Sequence, residues 1–153
     1  MIVSAHVVVG GYLGEVIGNP AGAFVVGAVS HFVLDSIPHF DNLDNECFSS
    51  RQIAFTATDL IVAFILMFFV IKLPLDQTIF SSSYAWGALG GFLPDMFDNV
   101  PFWKKRFLAT KFGEFYHRIH AGVHRKQPSA WVGMTTQLAV IALFLLAHFA
   151  IIK

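Results

Sequence analysis

Apolar residues in this chain fall in long runs, and polar residues are confined to short breaks between them. Two runs reach bilayer length: Ile53 to Ile71, interrupted only by Asp59, and Ala130 to Ile152, interrupted chiefly by Gln137 and His148. A helical span needs about 20 mostly apolar residues at about 1.5 Å rise each. A third run, from about Phe80 to Leu93, begins in the cluster Ser81, Ser82, Ser83. It is expected to kink or stop at Pro94, with Gly90 and Gly91 leaving room for the ring. Before residue 36 lie two shorter segments, Ile2 to Ile17 and Ala21 to Leu34, parted by the turn signal Gly18, Asn19, Pro20. They fit either two spans or a re-entrant hairpin. The pattern predicts an all-α, polytopic membrane helical bundle of about five helices. It is expected to form one integral-membrane domain over residues 1–153, with a His-rich cytoplasmic segment at 104–128 ahead of a final span at 130–152.

Composition agrees with that reading. The 153 residues are 56% hydrophobic and 13% charged, with seventeen Phe, and the mean hydropathy is +0.64, well above that of an average soluble domain. The formal net charge is zero, so overall electrostatics point to neither a nucleic acid nor an acidic substrate. The distribution of charge is more informative. Alternate threading of five segments puts Arg51, Lys104, Lys105, Arg106, Lys111, Arg118, Arg125 and Lys126 on one face, against Lys72 and Lys153 on the other. The positive-inside rule then makes the first face cytoplasmic. Lys104, Lys105 and Arg106 fit a topology determinant and an anionic-lipid contact. Cys47 is the single cysteine, so no intrachain disulfide forms. The first residues lack the basic flank and clean apolar core of a cleavable signal and are expected to stay in the mature protein. The alternative to a membrane bundle is a soluble one in which some of these segments are buried helices.

The chain also echoes itself. GAVSHFVLD, Gly27 to Asp35, matches GALGGFLPD, Gly87 to Asp95, at Gly27/Gly87, Ala28/Ala88, Phe32/Phe92 and Asp35/Asp95. Each copy ends an apolar helix with Asp and runs on to a further carboxylate, Asp41 or Asp98. This suggests a helical hairpin used twice, with halves at about 1–52 and 53–103, although coincidence in low-complexity apolar sequence explains four matches as well. The threading places His6, His31, Asp35, His39, Asp41, Asp59, Asp95 and Asp98 together at the cytoplasmic interface. Ionisable groups are costly inside a span and mark paired or functional positions. A divalent cation would relieve the repulsion among the carboxylates.

A third element, EFYHRIHAGVHRK, spaces His117, His120 and His124 at i, i+3, i+7, on one face if helical. Imidazoles and carboxylates together suit a divalent metal, with zinc ahead of manganese, iron or magnesium, and the number of candidates allows one to three ions. Arg118 and Arg125 are suited to phosphate oxygens, and Asp59 to ligation or to orienting a ligating imidazole. Each has a plainer reading: His31 and Asp35 as a structural pair, His39 and Asp41 as an interfacial loop. Glu15, Asp76 and His148 lie toward the opposite face and are expected to be structural. Trp86, Trp103 and Trp131 read as packing or interface anchors.

An N-terminal His in an apolar helix, an LPD-type motif with a second Asp soon after (LPDMFD, Leu93 to Asp98) and an HR-x-x-H element (His117, Arg118, His120) together resemble the YdjM-like family of bacterial inner-membrane metal-dependent hydrolases. The resemblance covers most of the chain. It implies metal-site roles for Asp95, Asp98, His117, His120 and His6. In this chain one extra residue separates the aspartates and Asn99 stands where the family has His, while DSIPHFD, Asp35 to Asp41, offers a second such element. The expected function is hydrolysis at the cytoplasmic interface, on a phosphoester such as a phospholipid or lipid-linked phosphate. Membrane lipids are then the partners. The alternatives are transport of a metal ion or proton, and non-catalytic metal binding.

Overall fold

A computed structural model describes residues 1–40, 49–73, 75–125 and 129–151, with the side chains of Asp98 and Pro101 outside the description. The described residues form seven α-helices and no strands: α1 Val3–Ile17, α2 Pro20–Asp35, α3 Ser50–Ile65, α4 Ser83–Asp98, α5 Pro101–Leu108, α6 Lys111–Val123 and α7 Ala130–Ile151. The all-α class and the first two segments agree with the hydrophobic pattern to within a residue or two. The helix count exceeds five because the polar stretch after Asn99 folds into α5 and α6. The turn between α1 and α2 forms as its residues dictate. Gly18 takes the left-handed conformation (φ 76°), Asn19 caps α2 by accepting from the Gly22 N–H, and Pro20 occupies the first turn.

Helix α3 starts with a capping box, Ser49 and Gln52 each serving the other's backbone. It runs on through a π-helical turn, Leu66–Val70. Lys72 (φ 60°) ends it in the left-handed region. A short turn at Gln77–Ser81 follows, capped by the Asp76 carboxylate, and the Thr78 N–H and hydroxyl bound to that carboxylate hold it below the usual range. Rather than stopping at Pro94, α4 continues through it to Asp98. Proline removes one helical hydrogen bond and crowds the carbonyl four residues back, and Gly90 at that position has no side chain to add to the crowding.

The α1, α2 and α4 helices form the tight centre. The first half of α1 is buried on every side, ringed by α2, α4, α7 and α3. Close approach is possible because the crossing points are glycines. A Cβ on Gly87 would lie 2.2 Å from the Gly10 carbonyl oxygen and 2.9 Å from the Gly14 Cα, and one on Gly27 would lie 2.1 Å from the Gly87 carbonyl oxygen. Gly27 and Gly87, identical positions of the two matched segments, therefore touch. The two hairpins are unlike, however: α1 packs along α2, whereas α3 rests on α1 and makes little contact with α4.

Two helical stretches are long and apolar enough to cross a bilayer, Ser50–Val70 and Ala130–Ile151. The α1 and α2 helices are apolar but shorter, at 15 and 16 residues. Large apolar side chains also face outward: Val25, Val29 and Val33 on α2, Ile61 and Phe64 on α3, Leu143 and Leu146 on α7.

Candidate metal centre

The Asp35 carboxylate ends α2 at the middle of a buried imidazole cluster. Its Oδ2 lies 3.1 Å from His31 Nε2, 3.1 Å from His120 Nε2 and 3.0 Å from His124 Nε2. Its Oδ1 lies 3.3 Å from His6 Nε2 and 3.9 Å from His39 Nε2, and also meets the Met1 nitrogen. Asp95 Oδ1 stands 3.7 Å from both His31 Nε2 and His120 Nε2, and these two nitrogens are 3.0 Å apart. His6, His31, Asp35 and His39 have no exposed surface, and His120 is 2% exposed.

Two groups of ligand atoms converge here, sharing Asp35: His31, Asp35, Asp95 and His120, and Asp35, His39 and His124. In a four-coordinate centre with bonds of about 2.0–2.1 Å, the ligand atoms stand about 3.3–3.4 Å apart. The separations of 3.0, 3.1, 3.1, 3.7 and 3.7 Å in the first group bracket that value.

Hydrogen bonds outside the cluster orient its ligands. His31 Nδ1–H donates to the Gly91 carbonyl oxygen (2.7 Å), so in the neutral ring Nε2 presents its lone pair toward Asp35 and His120. His39 Nδ1–H donates to the Ile37 carbonyl oxygen (2.8 Å) in the same way, and burial pushes the ring below the ordinary histidine range, favouring the neutral form. His39 Nε2 is buried without a hydrogen-bond partner, as are both ring nitrogens of His6, whose ring stacks on His31 at 3.9 Å. Buried polar atoms are ordinarily satisfied, and a cation held by Asp35, His39 and His124 would take up the free His39 Nε2. A ring N–H donated to a backbone carbonyl is a usual way for a protein to aim a metal-binding imidazole. Such a set can hold a metal ion.

Four elements bring the ligands together. The α2 helix supplies His31 and Asp35, one turn apart, while His6 of α1 stacks on His31 and belongs to neither ligand group. Asp95 comes from α4, its Oδ1 held by the Asn99 side-chain N–H (2.7 Å). His120 comes from α6, which the Tyr116 hydroxyl ties to α4 by donating to the Pro94 carbonyl oxygen (2.9 Å). Past the end of α6, the Arg125 N–H donates to the Asp35 carbonyl oxygen (2.9 Å) and the Arg125 carbonyl accepts from the His39 N–H (3.1 Å), clipping His124 and His39 into the cluster. Asp35 and Asp95, matched in the sequence echo, meet at the same two imidazoles.

Other residues singled out by the sequence lie elsewhere. The Asp59 carboxylate caps α1: it accepts from the Val3 N–H (2.5 Å) and from the Ser4 hydroxyl (2.5 Å) and N–H. The first turn of α1 has no side-chain cap of its own, so a carboxylate from a neighbouring helix satisfies its free donors. We expect Asp59→Ala to lower stability by about 1–2 kcal/mol, the worth of an N-cap, in thermal unfolding, with metal content unchanged.

Arg118 is 75% exposed and paired with Glu114 (2.8 Å). A surface i,i+4 pair contributes about 0.3–0.5 kcal/mol, so Arg118→Ala should leave both metal content and the melting midpoint almost unmoved. The Arg125 side chain is exposed, and its main chain does the positioning. His117, half-buried, belongs to neither ligand group. Asp41 lies outside the described residues, as does the Asp98 side chain. His148 pairs with Glu15 (3.0 Å), joining α7 to α1 away from the cluster. Sequence reasoning missed Asn99 and Gly91 as supports. Asn99 follows one turn after Asp95, a spacing that could have flagged it.

No protein-family model, curated protein or solved structure matches the chain. Its chemistry is therefore read from the cluster itself. A pocket of about 140 Å³ leads to it, lined by Asp59, Asp95, Asn99, Phe92 and Leu60 among others. Asp95, 16% exposed, is the ligand that reaches this pocket.

Proposed function

We propose that this chain is a membrane-embedded, metal-dependent hydrolase, and that its substrate is a phosphoester at a lipid interface. The observation that carries the reading is the convergence of His31, His120, Asp35 and Asp95, with the His31 proton fixed on Gly91 and the edge of the set open to a pocket. Imidazole and carboxylate in that number suit zinc first. Asp35 belongs to both ligand groups and would help to hold an ion in either. A divalent ion in such a site supplies Lewis acidity and activates water near neutral pH.

The protein's part is to hold the ligands and admit the substrate. Asp95 and Asn99 present the polar edge of the cluster to the pocket, and the apolar packing of α1, α2 and α4 keeps bulk water from the other side. Arg125, with its side chain free of the cluster's interior, is the cation for substrate phosphate oxygens. The outward apolar faces of α2, α3 and α7 suit a lipid surround, and the weight of basic residues on one side of the threading supports a cytoplasmic face for the cluster. The likeness of LPDMFD and HRIH to the YdjM-like motifs points the same way.

Transport fits less well, because a conduction path needs polar groups along the depth of the membrane. Between His6 and Glu15, α1 carries Val7, Val8, Val9, Gly10, Gly11, Tyr12, Leu13 and Gly14. The test is release of phosphate or head group from a panel of phospholipids and lipid phosphates in detergent. The expected result is zinc-dependent turnover that is lost on chelation. Metal-loaded protein with no turnover, but with zinc uptake into proteoliposomes, would replace this reading with transport.

A further inference from the structure

The gap left where α3 stands away from α4 is a groove of about 410 Å³, floored by Val3 and Val7 of α1 and walled by Leu60 and Met67 on one side and Leu89 and Phe92 on the other. Its volume falls in the range of small-molecule sites. Every side chain lining it is apolar except the Trp86 ring, whose N–H is already donated to the Phe80 carbonyl oxygen (2.8 Å). A ligand there meets no hydrogen-bonding group along the groove.

At one end the groove continues into the pocket at the metal centre, and the two share Val3, Leu60 and Phe92 as walls. Polar side chains enter only there, as Thr56, Asp59, Asp95 and Asn99. From Asp95 back to Ala85 along α4 is about 15 Å at 1.5 Å per residue, half of a hydrocarbon core of roughly 30 Å. The cavity is thus apolar for the depth of one leaflet and polar at one end, the shape of a single-chain section of an amphiphile.

We infer that this groove binds one acyl chain of a membrane lipid, extended along α4, with the lipid's head group at Asp95. The placement of the head group rests on the reading of the Asp35 cluster as the reacting centre. The substrate class then narrows to acyl lipids that thread a chain between α3 and α4, and Leu60, at the neck, gates it.

The experiment uses the full chain in phosphatidylcholine nanodiscs containing a phosphatidylglycerol with a diazirine in the distal half of one acyl chain. After irradiation, adducts are mapped by peptide mass spectrometry. We expect adducts on Met67, Ala85 and Leu89 several-fold above those on Leu143 and Leu146 of the outward α7 face. Leu60→Trp should remove the excess and Val62→Trp, on the same helix but outside the groove, should keep it. Leu60 is 42% exposed, so the larger ring has room to fold, and zinc content reports that it has. Adducts spread evenly over the groove and α7, an excess insensitive to Leu60→Trp, or cross-links to a second copy of the chain would each overturn the inference. Because the readout needs no turnover, groove adducts without hydrolysis would sink the hydrolase reading and leave the groove standing. Hydrolysis without them would do the reverse.

Discussion

Asp35→Ala should leave the purified protein without bound metal. Five imidazole nitrogens lie within 3.9 Å of its two oxygens, and both ligand groups contain it. Removing it takes the only carboxylate from the second group and the nearer of two from the first. Asp95, 3.7 Å from His31 and His120, cannot replace a bridge to His39 and His124 on the other side. The substitution also takes the nearest carboxylate from five buried imidazoles and leaves only the more distant Asp95 beside two of them, and breaking a buried charged set typically costs about 3–5 kcal/mol. The checks are elemental analysis of the purified variant and thermal unfolding in detergent. His148→Ala is the control, because His148 pairs with Glu15 and should keep the metal. Metal retained by Asp35→Ala at wild-type stoichiometry would remove Asp35 from the centre.

The second large effect belongs to Gly87. Valine there would place a Cβ 2.2 Å from the Gly10 carbonyl oxygen and 2.9 Å from the Gly14 Cα. These are backbone atoms of a helix packed on all sides, so α1 and α4 must move apart. Overpacking of this kind costs about 1–3 kcal/mol where side chains can yield, and here they cannot, so we expect the upper end or loss of the folded protein. Metal binding should fall with it, because Gly91, one turn on, holds His31, and His6 sits on the helix that is displaced. Gly122→Ala is the contrast: a Cβ there meets nothing within 4 Å, and alanine in a helix gains up to about 1 kcal/mol over glycine. Thermal midpoints of the two variants should move in opposite directions.

Much of this was legible in the chain because apolar surroundings make each ionisable residue conspicuous. His6, His31 and Asp35 stand out in helices that could carry leucine in their place, and they do converge. The turn at Gly18, Asn19 and Pro20 was readable because each residue has its own backbone preference. What was not legible depends on partners distant in sequence. Asp59 looks like a ligand until Val3 and Ser4 are seen to need its oxygens. Spacing put His117, His120 and His124 on a common face, but only the docking of α6 against α2 decides that His120 and His124 join the ligand groups. Pro94 left a kink and a stop both open, with Gly90 and Gly91 already making room for the ring, and the helix runs on to Asp98. Arg125 was read for its guanidinium alone, and only the fold shows that its peptide group also ties Asp35 to His39. The polar run from Lys104 offered little apolar periodicity, so α5 and α6 were not resolved as separate helices.

The central claim is that the Asp35 cluster holds a metal ion. Its most direct measurement is zinc K-edge absorption on protein purified without chelator and dialysed after exposure to zinc. The account predicts retained zinc with a nitrogen and oxygen shell at about 2.0–2.1 Å and the outer scattering of several imidazoles. Protein that retains no metal, or zinc bound through sulfur at about 2.3 Å from Cys47, would contradict it.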